Sequence, residues 1–207
     1  LKLLNKTKTI NMELTTVKHA INNQIVSESD VIVSQGNFIE ANTQQVSLSH
    51  LKEDCIIPVY SDNETTISHA QFIDTTKDAV KSSFENEKIL QPNIRVSHVI
   101  KGRVPSAIGK AVKELTQEEK TIYYQRTAFM IEVSSITEIV NNNKLSLTIG
   151  GVRALNQENL YRKRNLEKFQ VFIGYKNWVC TNLCISTDGL KSEIRVSSTL
   201  ELKEKIN

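Results

Sequence analysis

Two runs of β-forming residues, 127–135 and 144–149, flank the triplet Asn141-Asn142-Asn143. Asn tolerates the left-handed backbone that a tight turn demands, so this stretch reads as a β-hairpin. Leu145, Leu147 and Ile149 alternate with polar residues, which places one face of the second strand against a core. A second pair of runs, 169–175 and 178–186, flanks Lys176-Asn177 and predicts a second hairpin with a two-residue loop. Thr187-Asp188-Gly189 reads as a further turn, followed by a strand over 194–197. Hairpins in series imply an antiparallel sheet.

The rest of the chain adds helices and shorter strands. Residues 55–60 form an apolar run broken by Pro58, which fits an edge strand. Asp62-Asn63 supplies a turn into a returning strand over 65–68. Ser68 then caps a helix over 70–86, where Phe72, Thr76, Ala79, Val80 and Phe84 recur at helical spacing. Residues 95–100 read as a strand, with Gly102, Pro105 and Gly109 punctuating the loop after it. Thr116 and Glu119 stand at capping-box spacing and predict a short helix. Ser198 or Thr199 caps a last helix through Leu200, Leu202 and Ile206. The fold class is therefore α+β: a mainly antiparallel sheet built from hairpins, with two or three helices packed on it. The expected core is Phe72, Val80, Phe84, Val133, Leu147, Ile149, Phe172, Val179 and Leu183.

Residues 1–50 hold 20 Asn, Gln, Ser or Thr and one aromatic, Phe38, so they offer little apolar area to bury. Residues 1–42 are expected to be a polar, mobile segment whose strand-like piece is Val31-Ile32-Val33, and 43–207 a single α+β domain. Met12 is the first methionine, and residues 1–11 are expected to be upstream sequence. The chain of 207 residues has no apolar run near the roughly 20 residues of a spanning helix, which argues against a membrane partner. Residues 1–12 lack a long apolar stretch of the secretory kind. Three sparse cysteines fit a reducing compartment, so a cytoplasmic location is expected.

Motifs for catalysis, cofactors and metals are not met. Between Gly102 and Gly109 stand six residues rather than the four of a phosphate loop, and Ala111 follows Lys110 where a hydroxyl would hold magnesium. Cys180 and Cys184 on one continuous strand would lie about 13 Å apart, too far for one metal or a disulfide. His19, His50, His69 and His98 show no ligand spacing, although His69 and His98 flank strand ends that could meet. Asp74 and Asp78 read as a solvated helix face. No catalytic residue, metal or cofactor is expected.

Charge is unevenly distributed. Residues 1–100 carry 9 basic and 12 acidic side chains, net −3, while 101–207 carry 17 and 11, net +6. Lys101, Arg103, Arg126, Arg153, Arg162, Lys163 and Arg164 are the candidate contacts to DNA or RNA, with Lys168 nearby. Tyr123, Tyr124, Tyr161 and Trp178 are aromatics that stack bases or fill a core. Arg153 follows Gly150-Gly151, where a ligand backbone could approach. The competing reading makes the glycines a bulge and pairs Arg153 with Glu158 or another acid.

The string Ser97-His98-Val99-Ile100-Lys101-Gly102-Arg103-Val104-Pro105-Ser106-Ala107-Ile108 resembles a Bacteroidetes domain-of-unknown-function family, number 3871, as do 147–154, 156–160 and 179–189. The resemblance covers most of 12–207. It implies carriage on phage, plasmid or conjugative elements, and no catalytic residue comes with it. It also implies a helical region past this chain's end, so a domain truncated at its C-terminus is expected. The leading expectation is a non-enzymatic accessory protein of a mobile element that contacts nucleic acid through its basic second half. The alternative is a protein-interaction or host-interference module with no nucleic-acid contact.

Overall fold

The computed structural model describes residues 39–40, 42–57, 66–158, 166–180, 182 and 184–207. The expected strand at Val31-Ile32-Val33, the Asp62-Asn63 turn and the burial of Leu183 lie outside these residues. Chain order runs β1 (Ile39–Glu40), β2 (Gln44–Val46), α1 (Leu48–Glu53), α2 (His69–Ser83), β3 (Asn93–Arg103), β4 (Lys120–Val140), β5 (Asn143–Ala154), β6 (Glu167–Gly174), β7 (Asn177–Cys180), β8 (Ile185–Thr187), β9 (Leu190–Val196) and α3 (Thr199–Ile206). Six strands form an antiparallel sheet in the order β2-β3-β4-β5-β6-β9, and a small sheet has the order β1-β7-β8. The α+β class read from the hairpin pattern is the one observed. Among the described residues, no helix is long and apolar enough to cross a membrane.

The β4–β5 hairpin turns at Asn141 and Asn142, whose φ values of 50° and 63° are both left-handed, as a two-residue turn of matching twist requires. The register shifts between Val133 and Thr137. There Ser134 donates its N–H to the Lys88 carbonyl at 2.9 Å, so the segment before β3 takes up the backbone groups that the shift releases. α2 begins with a reciprocal capping box: Ser68 Oγ accepts the Gln71 N–H, and the Gln71 side chain accepts the Ser68 N–H. It ends at Ser83, with Phe84 as its C-cap, a turn short of the expected end.

Four readings are corrected. Strands β6 and β7 are not hairpin partners: β6 pairs β5 and β9, while β7 pairs β1 in parallel and β8 antiparallel. The expected strand over 178–186 is broken, because the chain reverses between β7 and β8. The reason the chain leaves β6 is local. Asp188 Oδ1 accepts the N–H groups of Tyr175 and Lys176 at 2.8 and 3.0 Å, and buried Asn177 donates to the Gly174 carbonyl at 3.1 Å. These bonds turn the chain out of the sheet plane. At 66–68 there is no strand, and the segment serves as the lead into α2. At Thr116 the N–H does bond the Glu119 carboxylate at 3.0 Å, but no helix follows and the chain goes straight into β4. Of the expected edge strand, Cys55 forms only a single parallel bridge with Ile122, and Pro58 lies outside the described residues.

Each face of the large sheet carries its own core. On one, α1, α2 and α3 bury Leu51, Phe72, Val80 and Leu202 against Phe129, Val133, Leu147, Phe169 and Ile194. On the other, β1, β7 and β8 bury Ile39, Val179 and Ile185 against Ala128, Val152, Ala154 and Phe172. Phe84 and Ile149 are only partly buried. Phe72 meets Phe129 edge-on at 5.1 Å and Phe169 at 4.7 Å between ring centroids. Gly150 and Gly151 are not a bulge: both are paired on each side within β5. A Cβ on Gly151 would run into the Phe72 ring, so glycine there admits the helix. Gly151→Ala should therefore destabilise the fold by about 1–3 kcal/mol as an overpacking change. In a Phe72→Leu background the same substitution should cost markedly less, measured by denaturant unfolding of the four proteins in a double-mutant cycle.

Candidate functional site

The structure separates the candidate cations. Arg153 is 1% exposed. Its Nε donates to Glu158 Oε1 at 2.9 Å and its Nη2 to Glu158 Oε2 at 3.2 Å. Nη2 also reaches Glu167, Nη1 reaches the Ile67 carbonyl, and the guanidinium lies 4.5 Å over the Phe169 ring. Glu167 in turn accepts the Ile67 N–H at 3.0 Å. Arg153 is thus removed from the nucleic-acid set: its N–H groups are committed inside the protein, and the space over Gly151 belongs to Phe72. Arg103 donates to the Lys110 and Ala107 carbonyls of its own loop, and Lys110 pairs with Glu119. Lys101 is exposed on β3. Arg162, Lys163 and Arg164 lie outside the described residues.

The sheet face opposite α2 gathers cations that charge counting by halves did not. Arg126 on β4 pairs with Ala154 on β5, and Lys168 on β6 with Arg195 on β9. The register Val152↔Gln170 brings Ala154 level with Lys168, and Val152, Ala154, Lys168 and Gln170 line one crevice. Arg126, Ala154, Lys168 and Arg195 therefore form one row across four adjacent strands. At the usual strand spacing the row spans about 15 Å. Arg95 occupies the neighbouring row, level with Ala128, and donates to Thr43 Oγ1 at 2.7 Å. Glu193 is the acid beside the row, 2.7 Å from Lys168 and 2.8 Å from Arg195. Its carboxyl is held below the ordinary value by hydrogen bonds from Lys168 and then Arg195. Arg95 and Arg195 were missed because their neighbours in sequence are not basic; only the strand register brings them together.

A polar cluster absent from the sequence reading joins α1 to β4. His50 Nδ1 lies 2.7 Å from Asp54 Oδ2, and His50 Nε2 lies 3.0 Å from the Tyr124 hydroxyl, which also accepts from Gln44 Nε2 at 3.0 Å. Cys55 Sγ is 3.8 Å from His50 Nε2. The arrangement has the outline of a carboxylate–histidine–nucleophile relay. Burial and then the Asp54 charge push the Cys55 thiol up to about 11, so it stays protonated. Burial also raises Tyr124. Neither candidate nucleophile is made more acidic by its surroundings. The cluster fastens α1 to the sheet, and the only sequence signal for it was the helical spacing of His50 and Asp54.

His69 does not meet His98. His69 is buried, and its Nε2–H donates to the Tyr124 carbonyl at 2.8 Å. His98 sits exposed on β3 at φ 58° beside Ser97. Among the described residues, no three His, Cys, Asp or Glu side chains group to hold a metal ion. Cys180 and Cys184 are not 13 Å apart as on one strand, because the chain reverses between them and the Cys180 N–H bonds the Cys184 carbonyl at 3.0 Å.

Residues 19–207 match the family described as "Domain of unknown function, B. Theta Gene description (DUF3871)", and the chain belongs to that family. Comparison with curated proteins and with solved structures finds no match.

Arg153→Met should cost about 3–5 kcal/mol, because Glu158 and Glu167 are left buried without their cation. Burial already raises Glu167 above its ordinary value, with Arg153 opposing it, and the substitution raises it further. A carboxyl raised in the folded state binds more protons there than in the unfolded chain, so the variant should regain stability as pH falls. A second pH effect belongs to His69, which burial and then the Arg153 charge lower from 6.5 to about 3. Between those values the unfolded chain takes up a proton that the native imidazole refuses, so stability should drop on acidification through that window. His69→Gln keeps a donor for Tyr124 and should flatten that part of the profile, read by urea unfolding at stepped pH.

Proposed function

We propose that this domain is a non-enzymatic accessory module of a mobile genetic element that holds a nucleic-acid backbone against the sheet face opposite its helices. The observation that carries the reading is the row Arg126, Lys168 and Arg195, separated by Ala154 and flanked by Arg95. Cations at strand spacing on a sheet neutralise phosphates without reading bases. Arg162, Lys163 and Arg164 come shortly before Lys168 in the chain and are proposed to extend the same contact, whereas Lys101, paired with Ile122 of the helix-side core, is not part of it. The resemblance to phage and plasmid proteins supports the mobile-element setting.

The alternative, a protein-interaction or host-interference module, draws on the apolar side chains exposed at one end of β3 and in the loop after it. Val99, Ile108 and Val112 are 59%, 50% and 70% exposed there. Fluorescence anisotropy with single- and double-stranded DNA and RNA of mixed sequence, titrated at stepped salt, separates the two. Nucleic-acid contact predicts that Lys168→Ala and Arg195→Ala each weaken binding to every sequence about equally. Each should flatten the slope of log affinity against log salt by about 0.7–0.9. No binding near physiological salt, or a slope unchanged in both variants, supports the protein-interaction reading.

A further inference from the structure

The β7–β8 hairpin pairs Asn177 with Thr187, Trp178 with Ser186 and Val179 with Ile185. One step further the same register sets Cys180 opposite Cys184, and the Cys180 N–H bond to the Cys184 carbonyl, 3.0 Å, confirms that they face each other. Val179 and Ile185 are buried against the large sheet, so residues one position along point outward. Both cysteines therefore stand on the outer face, with Cys184 exposed, Cys180 partly so and Trp178 42% exposed. Directly opposed antiparallel residues have Cα atoms about 4.5–5.5 Å apart, inside the range a disulfide accepts. Cβ atoms of directly opposed strand residues lie about 4.5–5.5 Å apart, about 1 Å wider than a disulfide prefers, so closing the bond would tighten the hairpin and favour its ready reduction.

We propose that Cys180 and Cys184 form a reversible redox pair that exchanges with small-molecule disulfides. Cys180 is the attacking sulfur. The backbone N–H of Asn182 and then those near Cys184, together with the Cys184 thiol, hydrogen-bond its thiolate and lower its pKa. Cys184 is raised by its hydrogen bond to Cys180 and is the resolving thiol. The Cys180 thiolate attacks one sulfur of a disulfide RSSR, forming a mixed disulfide and expelling RS⁻, which takes up a proton. Cys184 then loses its proton to solvent and attacks the Cys180 sulfur, expelling the second RS⁻. The protein is oxidised by two electrons, losing two thiol hydrogens, and RSSR is reduced to two RSH. Cys55 takes no part: burial keeps its thiol protonated up to about 11.

The test treats the intact protein with oxidised glutathione at stepped ratios to reduced glutathione, alkylates free thiols and maps the peptides by mass spectrometry. The expected product is a Cys180–Cys184 link that forms and reverses with the ratio, while Cys55 remains a free thiol. Cys184→Ser should stop at a glutathionyl adduct on Cys180, and Cys180→Ser should react far more slowly. Trp178, the chain's single tryptophan, should report the same transition by fluorescence, since it lies two residues from Cys180 on the same face. The proposal fails if the wild-type protein keeps both thiols free across ratios that oxidise a reference dithiol. It also fails if the glutathionyl adduct accumulates unresolved, or if Cys55 enters the link.

Discussion

The buried Arg153 guanidinium joins three segments that are far apart in the chain. It takes the Ile67 carbonyl from the lead into α2, Glu158 from the turn after β5, and Glu167 from the first residue of β6. Removing a cation from water costs several kcal/mol, and only a full set of partners offsets it. Here two carboxylates, a carbonyl and an aromatic face supply that set. The position of Arg153 explains the packing next to it. Gly151 precedes it by two residues and so shares its side of β5, and Phe72 from the first turn of α2 rests where Gly151 has no side chain. The same strand thus pins the entry to the helix with a charge and seats the helix with a gap.

This arrangement changes what the charge of the second half means. Its excess includes Arg153, which Glu158 and Glu167 neutralise internally, and Arg103, which is spent on its own loop. The useful division is by face of the sheet. Helices take the side of Phe129, Phe169 and Arg153, and the opposite side carries Arg95, Arg126, Lys168 and Arg195 beside the small sheet that covers Ala128 and Ala154. Glu193 touches two of these cations, so a phosphate would compete with one carboxylate for both.

The parts legible in the sequence were those with a local cause. The Asn141-Asn142 turn, the Ser68 cap and the alternation through Leu147 each depend on a few adjacent residues. The pairing of β6 was illegible for the opposite reason. Lys176-Asn177 looks like a hairpin loop, but the turn obeys Asp188, a dozen residues downstream, and Asn177, whose amide is buried under Thr148. For Arg153 the sequence offered both a ligand contact and a pair with Glu158; the pair is the one observed, but its burial was not legible, because nothing local says that a phenylalanine about eighty residues upstream fills the gap over Gly151. The cation row needed the register of four strands, which no single segment carries. Tyr124, Ala128 and Met130 show a further limit. Strict alternation puts them on one face, yet Tyr124 packs with the helix side and Ala128 with the other, beside the left-handed kink at His98.

The three cysteines show how far topology outweighs residue type. In sequence they look alike, small and sparse. Cys55 is set under α1 beside Asp54, where the thiolate is disfavoured by burial and by like charge. Cys180 and Cys184 are placed opposite each other by a chain reversal, outside the core, where backbone N–H groups favour a thiolate at Cys180. The hairpin that carries them rests on Val152 and Ala154, and Ala154 is the small residue between Arg126 and Lys168. A cross-link in that hairpin would stiffen the layer beside the cation row while the helix-side core, with Arg153 and His69, lies on the far side of the sheet. Any link between the proposed redox pair and the proposed phosphate contact would run through the packing of β7 and β8 on Val152 and Ala154.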